Sequence, residues 1–321
     1  MARAKAGGRQ PSKLEQQLAA LRGEPSQDEV VAALRAETGM LVEAGARHAI
    51  RLGLGDELAP AFERLCEQAA KRDPGCRGKT AIARALHDDD RWEEAVFARG
   101  ATLQQLEPAY GGPVDTAGEL RGICGLAYAH MGRPDALDVI AELLADRERV
   151  ARIAAGQALG DAGRRDASAL LRYKLLAGDA EPDVLTACFE ALFRLQGDGA
   201  IELAARFLPK HDDKAELAAF ALGSSRSAAA RPILTAWADA CTTRQRHGVA
   251  YLALALLRDE HANAQLAHVI ATGDRAAALA AATALATFAA DHAIADAILA
   301  AAKGRDPAVR DEIRAIVERH G

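Results

Sequence analysis

Gly78-Lys79-Thr80 is the tripeptide in this 321-residue sequence that most nearly spells a reaction. A glycine-rich loop ending in Gly-Lys-Thr holds phosphates with backbone N–H groups and the lysine. The same chemistry needs a glycine five positions before Gly78 and a buried strand leading into the loop. Asp73 occupies that position and the lead-in CEQAAKRD reads as helix, so nucleotide hydrolysis does not follow. Cys66, Cys76, Cys124, Cys188 and Cys241 are odd in number and form no CxxC pair, which predicts reduced, mostly buried thiols in a cytoplasmic protein. His261 and His268, seven apart, could share a helix face, but no third ligand lies nearby. They read as surface residues, and neither a metal nor another cofactor is expected.

The elements that must position any site follow a rhythm. An Ala-Leu step recurs as Ala85-Leu86, Gly125-Leu126, Ala158-Leu159, Ala191-Leu192, Ala221-Leu222, Ala253-Leu254, Ala284-Leu285 and Ile316-Val317. The gaps between second members are 40, 33, 33, 30, 32, 31 and 32 residues, the length of two short helices with their turns. Half the residues are hydrophobic but only 4% are aromatic, so the core is Ala and Leu, which lets helix backbones approach closely. Residues 1–13 carry Arg3, Lys5, Arg9 and Lys13 with no acid, and predict a flexible basic arm. Periodic apolar residues over 14–55 predict three helices that cap the array, and residues 56–321 are the array itself. PDALDVIAELLA and VARIAAGQALGDAG form its clearest unit, and EPDVLTACFEALFRLQG ends a further one at Gly197.

The stretches DPGCRGKTAIARAL, ARIAAGQALGDAG, PDVLTACFEAL and DPAVRDEIRAIV resemble bacterial HEAT repeats of the kind called PBS-lyase HEAT-like repeats. The resemblance covers roughly residues 56–321 and implies an all-α fold, a right-handed α-α superhelix of about eight or nine helical pairs. It specifies architecture and is almost silent on function. In such a unit the Asp at the turn caps the second helix and lies one turn from an Arg, as Asp73 with Arg77 and Asp306 with Arg310.

The long interval holds LQQLEPAYGGPVDTAGELRG. Pro108, Gly111, Gly112 and Pro113 forbid a helix here, so a loop is expected near 104–115, with Asp115 or Thr116 capping the next helix ahead of Glu119. Loops that interrupt a regular array frequently carry function. The candidate binding residues are therefore Arg84, Trp92, Arg99, Glu107, Tyr110, Asp115 and Arg121. A loop that merely covers the core, with Trp92 and Tyr110 tucked in, is the competing reading.

The net charge is −5, from 40 basic and 45 acidic residues, and residues 106–200 are the acidic part with 10 basic and 15 acidic groups. The residue before each step should face the concave side, and that row reads Arg84, Cys124, Gln157, Glu190, Phe220, Leu252, Thr283 and Ala315. One Arg and no Lys cannot track a phosphate backbone, so nucleic acid is not the expected partner. No apolar stretch spans a bilayer. The row suits a protein surface, which makes a non-enzymatic, cytoplasmic protein-interaction scaffold or adaptor the leading reading, acting through its concave face and the 106–115 loop. Two alternatives come from other HEAT-like folds. One is an alkylbase DNA glycosylase, with Trp92 and Trp237 as ingredients but no basic surface. The other is a chromophore lyase, for which aromatic content is low. The di-iron deoxyhypusine hydroxylases use repeated His-Glu pairs, and none of the nine histidines here precedes a Glu.

Overall fold

The structure, a computed structural model, describes residues 12–210, 212–241 and 243–320. Most of the expected basic arm therefore lies outside the described residues. Its last two members begin the first helix instead: Ser12 and Glu15 form a reciprocal capping box at the start of α1 (Lys13–Ala20).

The chain divides into two compact units, one ending at Ala162 and one beginning at Gly163. In the first, α1 is followed by α2 (Gln27–Leu34), α3 (Gly39–Ala49), α4 (Leu58–Cys66), the single turn α5 (Ala69–Arg72), α6 (Arg77–Asp88) and α7 (Glu94–Thr102). A two-stranded hairpin, β1 (Leu106–Glu107) and β2 (Val114–Asp115), leads into α8 (Gly118–His130), α9 (Ala136–Leu144) and α10 (Arg149–Asp161). The second unit contains α11 (Ala167–Ala177), α12 (Pro182–Gln196), α13 (Ile201–Ala205), α14 (Asp213–Ser224), α15 (Arg231–Ala240), α16 (Arg244–Leu256), α17 (Glu260–Thr272), α18 (Arg275–Ala286), α19 (His292–Ala302) and α20 (Pro307–His320).

This is an all-α solenoid of stacked helical pairs. In the first unit α3, α6, α8 and α10 touch in succession, with α4, α7 and α9 laid against α6, α8 and α10. In the second, α12, α14, α16, α18 and α20 form the equivalent row. Small residues allow this: Ala155 and Ala158 of α10 and Ala278, Ala281, Ala282 and Ala284 of α18 are buried in the rows. Acidic residues start the later helices, since Asp212, Asp259, Asp274 and Asp291 each accept a first-turn backbone N–H.

Two details differ from the sequence reading. In α8 the step in register is Ala127-Tyr128, whose residues are buried, while Leu126 is partly exposed. Cys124 faces α7 against Gly100 and does not belong to the open row. The Asp-Arg pairs also do not form as expected. Arg77 reaches Glu43 at 2.8 Å, Asp306 accepts from the Ala308 amide, and Asp73 takes a different partner.

That partner is Lys79. Its ammonium lies 2.8 Å from Asp73 Oδ2, and both side chains are sealed from solvent. Asp73 Oδ1 accepts the Gly78 amide at 2.8 Å and Oδ2 accepts the Lys79 amide at 3.0 Å, so one carboxylate caps α6 and neutralises its lysine. The first turn of α3 lies directly over it. A Cβ at Gly39 would stand 2.9 Å from Asp73 Cα and overlap the carboxylate, so only glycine fits there. Removing one member of a buried pair leaves the other uncompensated, a loss of about 3–5 kcal/mol. We expect Asp73→Ala to lose about that much in urea denaturation of the full chain. Lys79→Met, which leaves the carboxylate two amide donors, should lose about 1–2 kcal/mol. Equal losses would contradict this account of the pair.

Candidate functional site

The segment between α7 and α8 is a hairpin rather than an irregular loop. Leu106 stands opposite Asp115 and Glu107 opposite Val114 in antiparallel register. Its tip turns at Gly111 and Gly112, whose φ angles of 97° and 128° exclude most side chains.

Five polar side chains, Gln105, Glu107, Asp115, Thr116 and Arg121, fasten its base. Glu107 Oε1 accepts from the Gly75 amide at 2.7 Å, Gln105 Nε2 at 2.6 Å and Thr116 Oγ1 at 2.8 Å. Gln105 Nε2 also donates to the carbonyl of Asp73 at 2.8 Å, which joins the hairpin to the buried ion pair. Asp115 Oδ1 accepts the amides of Gln105 and Ala117, each at 3.0 Å, and Oδ2 accepts Arg121 Nη1 at 2.8 Å. Arg121 is buried and forks onto Asp146 through Nε at 2.6 Å and Nη2 at 2.8 Å, while Nη1 also reaches the Leu103 carbonyl. Asp115 thus braces the turn before α8 and is not its N-cap; that position is Ala117, without a side-chain cap. Glu119 takes no part in capping and pairs with Arg84.

Burial opposes the charge on both hairpin carboxylates, and the local donors overcome it. The Gln105 and Ala117 amides and the Arg121 guanidinium hold Asp115 below the usual carboxylate value. Gln105, Thr116, the Gly75 amide and the Lys79 charge do the same for Glu107.

Of the seven sequence candidates, the structure brings together Glu107, Asp115 and Arg121 as the braces of the hairpin. Tyr110 is fully exposed beyond them, with Leu106 (60%) and Val114 (49%) also open to solvent. Arg84 lies on the open face of α6 with Glu119. Arg99 pairs with Glu63, joining α7 to α4. Trp92, 40% exposed, packs against His87, His130 and Phe97 with ring centroids 6.0–6.4 Å away. Sequence reading missed Gln105, Lys79 and Asp146. Lys79 carried a usable signal, a lysine at a helix start six residues after an aspartate; Gln105 and Asp146 carried none.

The open faces of the rows are grooved. In the first unit a cavity of about 520 Å³ lies over α3, α6 and the start of α8, with Ala46, Ile50, Ala81 and Ala85 beneath and Arg47, Arg77, Arg84, Asp88 and Asp89 around it. In the second, a space of about 610 Å³ is lined by Leu252 and Thr283, both from the row read in sequence, and by Gln245, Leu279 and Thr287. Among the described residues no cluster of three His, Cys, Asp or Glu side chains is arranged to hold a metal ion. The thiols of Cys76 and Cys188 are pushed up to about 12 by burial, the opposite of what a nucleophile needs. Among the described residues no helix is long and apolar enough to cross a membrane.

The fold and these features define an all-α helical-repeat protein. No family model and no curated protein matches the chain. Similar solved structures include human deoxyhypusine hydroxylase in complex with glycerol, 18% identical over 85% of this chain and 98% of that one, with a TM-score of 0.32. The complex of CpcE and CpcF of phycocyanin lyase from Nostoc sp. PCC7120 is 16% identical over 93% of this chain and 96% of that one, with a TM-score of 0.36. An engineered protein is 16% identical over 95% and 93%, with a TM-score of 0.35. Likeness at this level does not carry activity from one chain to another.

Because the folded-state values of Asp115 and Glu107 are depressed, their contribution is complete above the ordinary carboxylate values of 3.8 and 4.5 and is lost as pH falls below them. Amide chemical shifts of Gly75, which reports Glu107, and of Gln105 and Ala117, which report Asp115, should therefore hold constant from pH 7 down to the ordinary carboxylate values and move only below them. Release of these amides already at pH 6 would show that the carboxylates are not held as described.

Proposed function

We propose that this chain is a non-enzymatic protein-interaction scaffold that offers a partner its 106–115 hairpin and the open face of its second helices. The observation that carries this reading is the contrast between the hairpin's base and its outer surface. Glu107, Asp115 and Arg121 fix the base through half-buried, charge-assisted hydrogen bonds, yet the surface so fixed displays Leu106, Tyr110 and Val114 to water. Exposed apolar side chains add nothing to the stability of the isolated chain. Held in one conformation, they lower the ordering cost of association, and a Tyr is among the residues that contribute most at interfaces.

In this reading Tyr110 and Leu106 make the contact, and Glu107, Asp115 and Arg121 position them. Arg84 belongs to the grooved face, while Trp92 and Arg99 lie on neighbouring surfaces. A Leu106→Ser, Tyr110→Ser double variant should keep its melting temperature within about 2 °C of wild type, since surface changes of this kind usually shift stability by less than about 0.5 kcal/mol. The same variant should lose at least about tenfold in recovery of one specific protein from lysate. Recovery of that protein at the wild-type level would remove the hairpin from the interface. Absence of any specific protein with the wild-type chain would remove the scaffold reading.

A further inference from the structure

The groove over α3 and α6 has a charge pattern that the fold does not explain. Arg47 and Arg77 share the single carboxylate of Glu43, at 2.6 and 2.8 Å. Arg84 is neutralised by Glu119. At the other end of α6, Asp88 is exposed and faces only the His87 ring nitrogen at 3.5 Å, and Asp89 and Asp90 are exposed without an ion-pair partner among the described residues. The lining therefore runs from an excess positive charge at Arg47 and Arg77 to uncompensated negative charge at Asp88 and Asp89.

The acidic end stands where stability argues against it. Asp88 is the last residue of α6 and Asp89 its C-cap, so both sit at the negative end of the helix dipole. Asp90 follows in the left-handed region, φ 52°, a third like charge in succession. A lysine, or a neutral amide, would suit the helix better at positions 88 and 89. Positions that break a local rule without repayment inside the fold are expected at functional or strained sites.

We propose that this groove docks a short dipolar peptide segment of a partner protein. The segment places lysine or arginine side chains against Asp88 and Asp89, apolar side chains over Ala46, Ile50, Ala81 and Ala85, and a carboxylate against Arg47 and Arg77. The inference rests on the scaffold reading and names the chemistry of one of its surfaces. The distance along α6 from Arg77 to Asp89 is roughly 18 Å at 1.5 Å per residue, which an extended segment of about five or six residues spans. A nucleic acid is disfavoured, because it would set phosphates against the acidic end.

The test is selection of a displayed random 12-residue peptide library on the full-length chain, followed by fluorescence anisotropy with a synthetic peptide of the enriched sequence. Enriched peptides should carry Lys or Arg at one end and Asp or Glu at the other. Their affinity should fall at least about tenfold for Asp88→Asn, Asp89→Asn and remain unchanged for Tyr173→Ser, an exposed residue of the second unit. The Asn variant should meanwhile melt about 1–3 °C higher, since two charges opposing the helix dipole are gone, which separates lost binding from lost folding. No enrichment, enrichment without the charge pattern, or binding indifferent to the Asn substitutions would overturn the proposal. Tighter binding of a single-stranded oligonucleotide than of any peptide would also overturn it. Should the groove fail while the hairpin still governs recovery of a specific protein, only this inference falls. Should both fail, the scaffold reading falls with it.

Discussion

The carboxylate of Asp73 is the group on which the first unit depends. It satisfies two amides at the start of α6 and the ammonium of Lys79, all within the core. A helix amino terminus with a lysine beside it is an anion site in waiting, and a nucleotide-binding loop would fill it with phosphate. Here the chain fills it with its own side chain, and the absence of a glycine at position 73 is the reason. The same residue sets the distance to α3 through Gly39, and its carbonyl receives Gln105, so the hairpin is docked to the capped helix rather than attached only by its two ends.

From that point outward the polar groups form a relay of fully buried or half-buried contacts. Gln105 joins Asp73 to Glu107, Asp115 joins Gln105 to Arg121, and Arg121 joins the hairpin to Asp146 at the turn before α10. Each buried charge meets an opposite one or several N–H donors, the condition under which burial of charge is tolerated. In the second unit alanine and leucine fill most of the space between α12, α14, α16, α18 and α20.

The repeat was legible in sequence because helix pairing in an array is a local property. α9, α10, α12 and α20 fall where apolar period, turn aspartates and glycines placed them. The hairpin was legible only as a helix break. Its strands are two residues long and their pairing is fixed by Gln105 and Asp115, whose partners lie 32 and 6 residues away, so no periodicity announces them. The Asp73-Arg77 expectation failed for a related reason. One-turn spacing permits that pair on an isolated helix, but Gly75 and Cys76 take left-handed backbone angles, and the turn delivers the carboxylate inward to Lys79 while Arg77 faces Glu43. Cys124 was misplaced because the glycine-rich α8 offers two steps that look alike, and only packing against Gly100 distinguishes them.

Among the candidate residues the structure separates two kinds that a sequence presents as equals. Glu107, Asp115 and Arg121 have spent their hydrogen-bonding capacity on the fold, and a partner could engage them only by undoing it. Tyr110 is fully exposed and Leu106 and Val114 are about half exposed, and Asp88 and Asp89 hold charges that α6 would be more stable without. Chemistry available to a partner therefore lies with side chains the fold leaves unused. Their precise placement is nevertheless a product of the fold, since the hairpin tip is carried by the Asp73 relay and the acidic end of the groove by the helix that the same carboxylate starts.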